Sequence, residues 1–155
     1  MNKFLKILGG IFLVLLIVAG IAAAIIIPKG WTLNKNAIEY FETNVPILVA
    51  SWNSEELLKR SAPEILVDAT KDQMPKMFIW LSKLGKLKRL DKPVGQVGTG
   101  YYPGTQFKGT WADYVANAEF EAGSATIKLV LKRNGDSWQI LGFHINSPAL
   151  LATNG

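Results

Sequence analysis

The feature that most constrains this chain is an uncharged, apolar stretch of 21 residues, residues 7–27. A helix of this length spans roughly 30 Å, at about 1.5 Å per residue, which matches the hydrocarbon thickness of a bilayer. Lys3 and Lys6 precede the stretch, and positive charge on this short flank favours a cytoplasmic N-terminus. We therefore predict a transmembrane anchor over residues 1–28, with residues 7–27 as the part in contact with lipid.

A cleaved signal peptide is the alternative interpretation of the same stretch. Residues 22–24 are three alanines, the kind of small residue that a signal peptidase accepts. The apolar run is longer than the apolar core of most signal peptides, and it continues through three isoleucines beyond the alanines. We expect a bacterial inner-membrane protein with its domain in the periplasm or otherwise outside the cytoplasm, the alternative being a secreted protein.

Cysteine and histidine usage excludes several classes of chemistry. The chain has no cysteine and one histidine, so disulfides, thiol catalysis, cysteine-ligated zinc and a multi-histidine metal site within one copy are ruled out. Without Lys3 and Lys6, 15 of the 17 basic residues remain, against 12 acidic ones. This excess is too small to indicate nucleic-acid binding. We predict no metal and no cofactor.

Amphipathic helices are predicted at the start of the domain, after a juxtamembrane linker at residues 29–36. Apolar residues recur there at intervals of three and four, the spacing of one helix face, and Pro46 predicts either a kink or two abutting helices. Asn53 with Glu56 resembles a capping box that opens a further short helix. The apolar positions of the first helix are Ile38, Phe41, Val45, Leu48 and Trp52.

Antiparallel strands are predicted in the second half of the domain, where the apolar period changes to two. The expected strands lie near residues 87–90, 110–121, 124–133 and 137–146. Turns at Ala122-Gly123 and Asn134-Gly135 would join the last three as hairpins. The glycine-rich residues 95–109 lack the ending of a phosphate-binding loop, so they predict tight turns or sheet curvature.

The two turns also predict a register and therefore two sheet faces. With Asn134 and Gly135 as a two-residue loop, Leu131 lies opposite Trp138, and apolar side chains collect on one face. Small residues along that face leave a depression that a helix or a small apolar ligand could fill. The predicted pocket residues are Tyr114, Ala118, Ile127, Gly142 and His144.

Apolar residues of the last strand form a second predicted feature, an interaction patch on the opposite face. Its members are Leu141, Phe143 and Ile145. Three exposed apolar side chains in a line are unusual for a monomer. They are expected either to be covered by the C-terminal tail, residues 148–155, or to form a contact surface.

Several short motifs carry a resemblance to a known fold. Helices followed by a curved antiparallel sheet resemble the cone-shaped nuclear transport factor 2-like superfamily. The motifs are Ser51-Trp52, Leu84-Gly85 with Arg89, Tyr102-Pro103-Gly104 and the closing run from Ser137 to Phe143. Together they resemble a small bacterial envelope family of unknown function. The resemblance implies an α+β cone over residues 37–147 and brings no activity with it.

His144 is the one weak catalytic candidate. Enzymes of that superfamily, such as ketosteroid isomerases and scytalone dehydratase, pair an acid or a histidine with a tyrosine inside the cone. In the predicted register Tyr114 lies three rows from His144, and Asp113 points to the other face. Since a general acid–base pair must reach one substrate, we predict a structural histidine.

A basic cluster follows the predicted helices. Its members are Lys83, Lys86, Lys88, Arg89 and Lys92. Cations are stabilised at a helix C-terminus, so the cluster is either a solvated helix end or a contact with anionic lipid headgroups or an acidic partner.

The sequence predicts a single-pass, membrane-anchored envelope protein that works as a non-catalytic binding or assembly module. The expected partner is a second copy of the chain or another envelope protein, and binding to nucleic acid is not expected. The alternative is a small-molecule-binding protein or an enzyme that uses the pocket of the cone, with an isomerase-like or dehydratase-like activity.

Overall fold

A computed structural model describes the backbone of residues 2–152, and all side chains within it except those of residues 2, 4–9, 20, 22–29, 68 and 69. The chain divides into two compact units, residues 1–35 and 36–155. Helices come first and an antiparallel sheet of five strands follows. This order confirms the predicted α+β class.

The described elements are four α-helices, two short 3₁₀ turns and five strands. The helices are α1 (Asn2–Ala50), α2 (Ser54–Arg60), α3 (Asp68–Leu81) and α4 (Pro148–Ala152), and the 3₁₀ turns are Pro63–Ile65 and Ser82–Leu84. The strands are β1 (Leu87–Leu90), β2 (Val94–Tyr101), β3 (Lys108–Phe120), β4 (Gly123–Asn134) and β5 (Ser137–Asn146).

The predicted anchor coincides only partly with described side chains. Of residues 7–27, the side chains of 7–9, 20 and 22–27 lie outside those described. Across the described part of the chain, no helix combines the length and the hydropathy needed to cross a membrane.

The C-terminal part of α1 supplies the first layer of the core. Phe41, Val45 and Leu48 have no exposed surface, as the predicted helix face requires. One helix continues through Pro46, where a kink or two abutting helices were predicted. It ends at Ala50, before Trp52, which was predicted to lie on the same face. Asn53 then caps α2, because its side chain accepts a hydrogen bond from the main-chain N–H of Glu55.

Strand β3 is the centre of the sheet. It pairs with β4 along one edge and with both β1 and β2 along the other, and β4 pairs with β5, which is an edge strand. Strand β2 was not predicted, because its three glycines hide any alternation of apolar side chains.

The register of both hairpins differs from the predicted one by two residues. Phe120 lies opposite Gly123, and Asn134 lies opposite Ser137. The loops are therefore residues 121–122 and 135–136. A shift of two keeps every side chain on its predicted face, since the side-chain period of a strand is two.

A β-bulge at Leu141 changes the faces of the last strand. Ile140 lies opposite Leu131, whereas Gly142 lies opposite Val130, so Leu141 is an extra residue in β5. A bulge reverses the alternation of the residues beyond it. Phe143 is consequently 7 % exposed, and His144 lies on the solvent side.

Candidate functional site: a groove between α3 and the free edge of β5

The inner face of the sheet is filled, which corrects the predicted pocket. Tyr114, Ala118 and Ile127 do lie on one face, and each is at most 2 % exposed. The bulge places Gly142 and His144 on the opposite side of the strand, so the predicted set does not surround one cavity.

The predicted interaction patch is not an exposed line either. Phe143 points inward, and its ring stacks on that of Phe78 at a centroid distance of 6.2 Å. Leu141 and Ile145 are half-buried. The prediction assumed an uninterrupted alternation along β5, and the bulge interrupts it.

A groove of about 860 Å³ lies between α3 and β5. This volume falls within the usual range for ligand sites, about 300–1,000 Å³. On the side of the helices it is lined by Leu57, Glu64, Ile65, Val67, Thr70, Gln73, Met74, Lys76, Met77 and Trp80. On the other side it is lined by four consecutive residues of β5, 141–144.

Helix α3 positions the apolar wall of this groove. Met74, Phe78 and Leu81 recur at intervals of four and three and are buried, as expected for the core face of a helix. Met77 is 36 % exposed on the same helix, and with Trp80 it lines the groove. Methionine adapts its shape readily, which suits a surface that receives another molecule.

The wall on the β5 side is a strand edge. Beyond β4, the described residues give β5 one further partner, a parallel bridge between Ser61 and Ile140. The N–H of Ala62 donates to the carbonyl of Ile140 at 2.7 Å. The segment before the first 3₁₀ turn therefore pairs with the edge of β5 at this point, and residues 141–144 continue from there along the groove.

An ion pair between Lys132 and Glu64 lies beside the groove. Glu64 and Leu141 line both this groove and a second depression of about 830 Å³ next to Phe107. The ammonium of Lys132 also stands over the ring of Phe107, 5.3 Å from its centroid. Hydrogen bonding from Lys132 lowers the pKa of the Glu64 carboxyl below its ordinary value.

The pH dependence of folding should reflect this pair. Because the pKa of Glu64 is lowered in the folded state, its contribution to stability is present above the unfolded pKa, about 4.3, and is lost as the pH falls through the folded value. Glu64→Gln should reduce the free energy of unfolding at pH 7 by less than about 1 kcal/mol, since the carboxylate is partly exposed. The difference from the native chain should shrink steadily as the pH falls below about 4.3, as measured by urea denaturation at pH 7 and at a series of acidic pH values. A difference that grew on acidification would contradict the assignment.

A polar cluster occupies the outer face of the sheet. The hydroxyl of Tyr102 donates to Asp113 at 2.8 Å, and the ammonium of Lys128 lies 3.2 Å from the same carboxylate oxygen. Burial and this hydrogen bond raise the pKa of Tyr102, and the hydrogen bond to Asp113 raises the pKa of Lys128. Asp113 is thus on the face that the sequence predicted for it.

His144 is exposed and lies opposite Lys128 in the ladder. Its ring is on the outer face at the margin of the groove, whereas Tyr114 is buried on the inner face. The two side chains are not brought together, so they cannot act as an acid–base pair on one substrate.

The basic cluster is exposed, as its composition predicts. All five side chains, those of Lys83, Lys86, Lys88, Arg89 and Lys92, are on the surface. Arg89 forms an ion pair with Asp91 at 3.0 Å, and Glu121 accepts a hydrogen bond from the main-chain N–H of Lys86. These carboxylates reduce the local positive charge, and a lipid or protein contact here stays a prediction.

No known relative bears on this site. The chain matches no family model, no curated protein and no solved structure. Among the described residues, no group of three or more acidic, histidine or cysteine side chains could hold a metal ion. The groove itself was missed by sequence reasoning, although Met74, Met77 and Trp80 along one helix were a usable signal for an apolar wall.

Proposed function

We propose that this protein is a membrane-anchored, non-catalytic binding module, and that its binding site is the groove between α3 and β5. The observation that carries the proposal is the position of that groove. The inner face of the sheet is occupied by the chain's own side chains, while an apolar cleft of ligand size opens along the edge strand.

The surface of the N-terminal helix supports membrane anchoring. The apolar side chains of residues 11–18 and of Ile21 are each 54–63 % exposed. Consecutive residues cover all sides of a helix, so this segment is apolar all round, and such a helix needs an apolar environment. We propose insertion through residues 7–27, with the N-terminus in the cytoplasm and the domain on the other side of a bacterial inner membrane.

The succession of elements supports a fold of the nuclear transport factor 2-like type for residues 37–147. Helices precede a bulged antiparallel sheet whose inner face is covered. In such a domain the occupant of the groove would be another envelope protein. An enzyme working inside the cone has no supporting feature among the described residues.

A photo-crosslinking experiment in native membranes tests the proposal. In one version of the full chain a photoreactive amino acid replaces Met77, which lines the groove. In the control version it replaces Ile79, which is 70 % exposed on the same helix and does not line the groove. After a wash with alkaline carbonate, the full-length chain should remain in the membrane pellet. A discrete crosslinked product should form from position 77 and not from position 79.

Four results would contradict the proposal, two for the anchor and two for the groove. Release of the chain by carbonate, or loss of residues 1–27 from the membrane-bound protein by mass spectrometry, would remove the anchor. Equal crosslinking from both positions, or none from position 77, would remove the groove as the binding site.

A further inference from the structure

We propose that the groove binds a peptide segment in an extended conformation, which adds to the sheet as a sixth strand alongside β5. The inference rests on the proposed function and specifies the kind of partner the groove takes. It follows from the main-chain groups that β5 turns towards the groove.

The direction of these main-chain groups follows from the ladder. In an antiparallel pair, opposite residues alternate between exchanging both hydrogen bonds and exchanging none. Because the carbonyl of Ile140 bonds to Ala62, it is directed away from β4. The pair Leu131–Ile140 is therefore one that exchanges no hydrogen bonds. Every second residue of β4 forms a pair of the same kind, and the next two are Leu129–Phe143 and Ile127–Ile145. Phe143 and Ile145 therefore also direct their N–H and C=O groups to the open edge.

These groups need hydrogen-bonding partners once the groove is occupied. An apolar small molecule would remove water from the N–H and C=O of Phe143 without replacing its hydrogen bonds, which is unfavourable. An extended segment supplies both donors and acceptors at the spacing of a strand. The chain's own segment at Ser61 and Ala62 already pairs with this edge at Ile140, so an added strand would continue a ladder that has begun.

The composition of β5 is compatible with such pairing. Lysine and proline on an edge strand hinder strand addition, and so does a bulge. Ser137–Asn146 contains no proline and no lysine or other charged residue, and its bulge is at Leu141, before the edge groups of Phe143. The wall opposite, with Met77 and Trp80, is apolar and favours a segment with apolar side chains at alternate positions.

The probe is a fluorescein-labelled heptapeptide of alternating valine and threonine, measured by fluorescence anisotropy with the full chain in detergent micelles. Two further peptides are N-methylated, one on its valine amides and the other on its threonine amides. Amides of successive residues point to opposite edges of a strand, so all valine amides point to one edge and all threonine amides to the other. One methylated peptide should therefore bind at least about tenfold more weakly, and the other should bind like the unmodified peptide.

A variant of the protein provides an independent arm. Ile145→Pro removes an N–H on the open edge while leaving the ladder with β4 in place, and proline is tolerated at such edge positions. It should weaken binding of the unmodified peptide by about tenfold. Ile145→Thr keeps the N–H and should bind as the native chain does.

Three outcomes would overturn the proposal. They are absence of peptide binding up to about 1 mM, equal affinities for all three peptides, and a stable dimer in micelles that dissociates on Ile145→Pro. The second outcome would leave the groove as a binding site that recognises side chains alone, and the third would assign the edge to a second copy. If the three peptides bind with equal affinity but crosslinking from position 77 still occurs, this inference fails and the proposed function stands. If crosslinking from position 77 is also lost, the proposed function fails.

Discussion

Replacing Trp52 by alanine should lower the free energy of unfolding by about 3 kcal/mol. The indole ring lies between two aromatic side chains, with centroid distances of 6.4 Å to Phe78 and 5.6 Å to Phe120. Its N–H donates to the carbonyl of Gly85 at 3.0 Å. The residue therefore connects the end of α1 to α3, β3 and the turn before β1, and alanine loses all of these contacts.

Glycine at the same position should be less damaging than alanine. Trp52 has a φ of +49°, in the left-handed region, which costs an L-residue about 1–2 kcal/mol. Alanine keeps this strain after losing the ring contacts that compensate for it, whereas glycine adopts the conformation freely. Trp52→Gly should consequently be about 1 kcal/mol more stable than Trp52→Ala.

Urea denaturation of the full chain in micelles, followed by circular dichroism, measures both differences. Trp31, which is 78 % exposed, provides the matched control, and Trp31→Ala should change the free energy of unfolding by less than about 0.5 kcal/mol. A loss below 1 kcal/mol for Trp52→Ala would show that the ring does not hold these elements together. A glycine variant less stable than the alanine variant would contradict the assignment of strain.

The faces of β3 and β4 were predictable from the sequence, and the register was not. Turn residues locate a hairpin to within about two positions, and the loops lie at 121–122 and 135–136 where 122–123 and 134–135 were expected. Alternation of apolar side chains tolerates an even shift, so the buried positions of β3 and β4 were assigned correctly.

The β5 side of the candidate site was not predictable because one extra residue determines it. The bulge at Leu141 turns Phe143 inward and His144 outward. The sequence Leu141-Gly142-Phe143 is compatible with a regular strand and with a bulged one, since leucine and phenylalanine suit either face of the sheet. The bulged arrangement allows the stacking of Phe143 on Phe78, a contact between residues 65 positions apart in the chain that local sequence does not reveal.

The role of the glycines in β2 was also not predictable from the sequence, and substituting one of them should have a large effect on stability. They were interpreted as permitting turns or curvature, whereas Gly95 is required by a close approach of two strands. A Cβ atom at this position would lie 1.9 Å from the carbonyl oxygen of Asp113 and 2.8 Å from the Cα of Tyr114. These are main-chain atoms of the central strand, which β4 holds on its other edge.

Gly95→Ala should therefore reduce the free energy of unfolding by about 3 kcal/mol, the upper end of the cost of overpacking, because neither strand can move away without losing its ladder. Gly142→Ala is the matched control: its Cβ would lie 3.5 Å from the nearest atom, an ordinary contact, and the change should stay within about 0.5 kcal/mol. Urea midpoints give the two free energies, and amide hydrogen exchange should lose protection along β2 while β4 keeps it. Equal midpoints for the two variants would mean that β2 can shift on β3, and the strand would then be a mobile edge instead of a fixed part of the sheet.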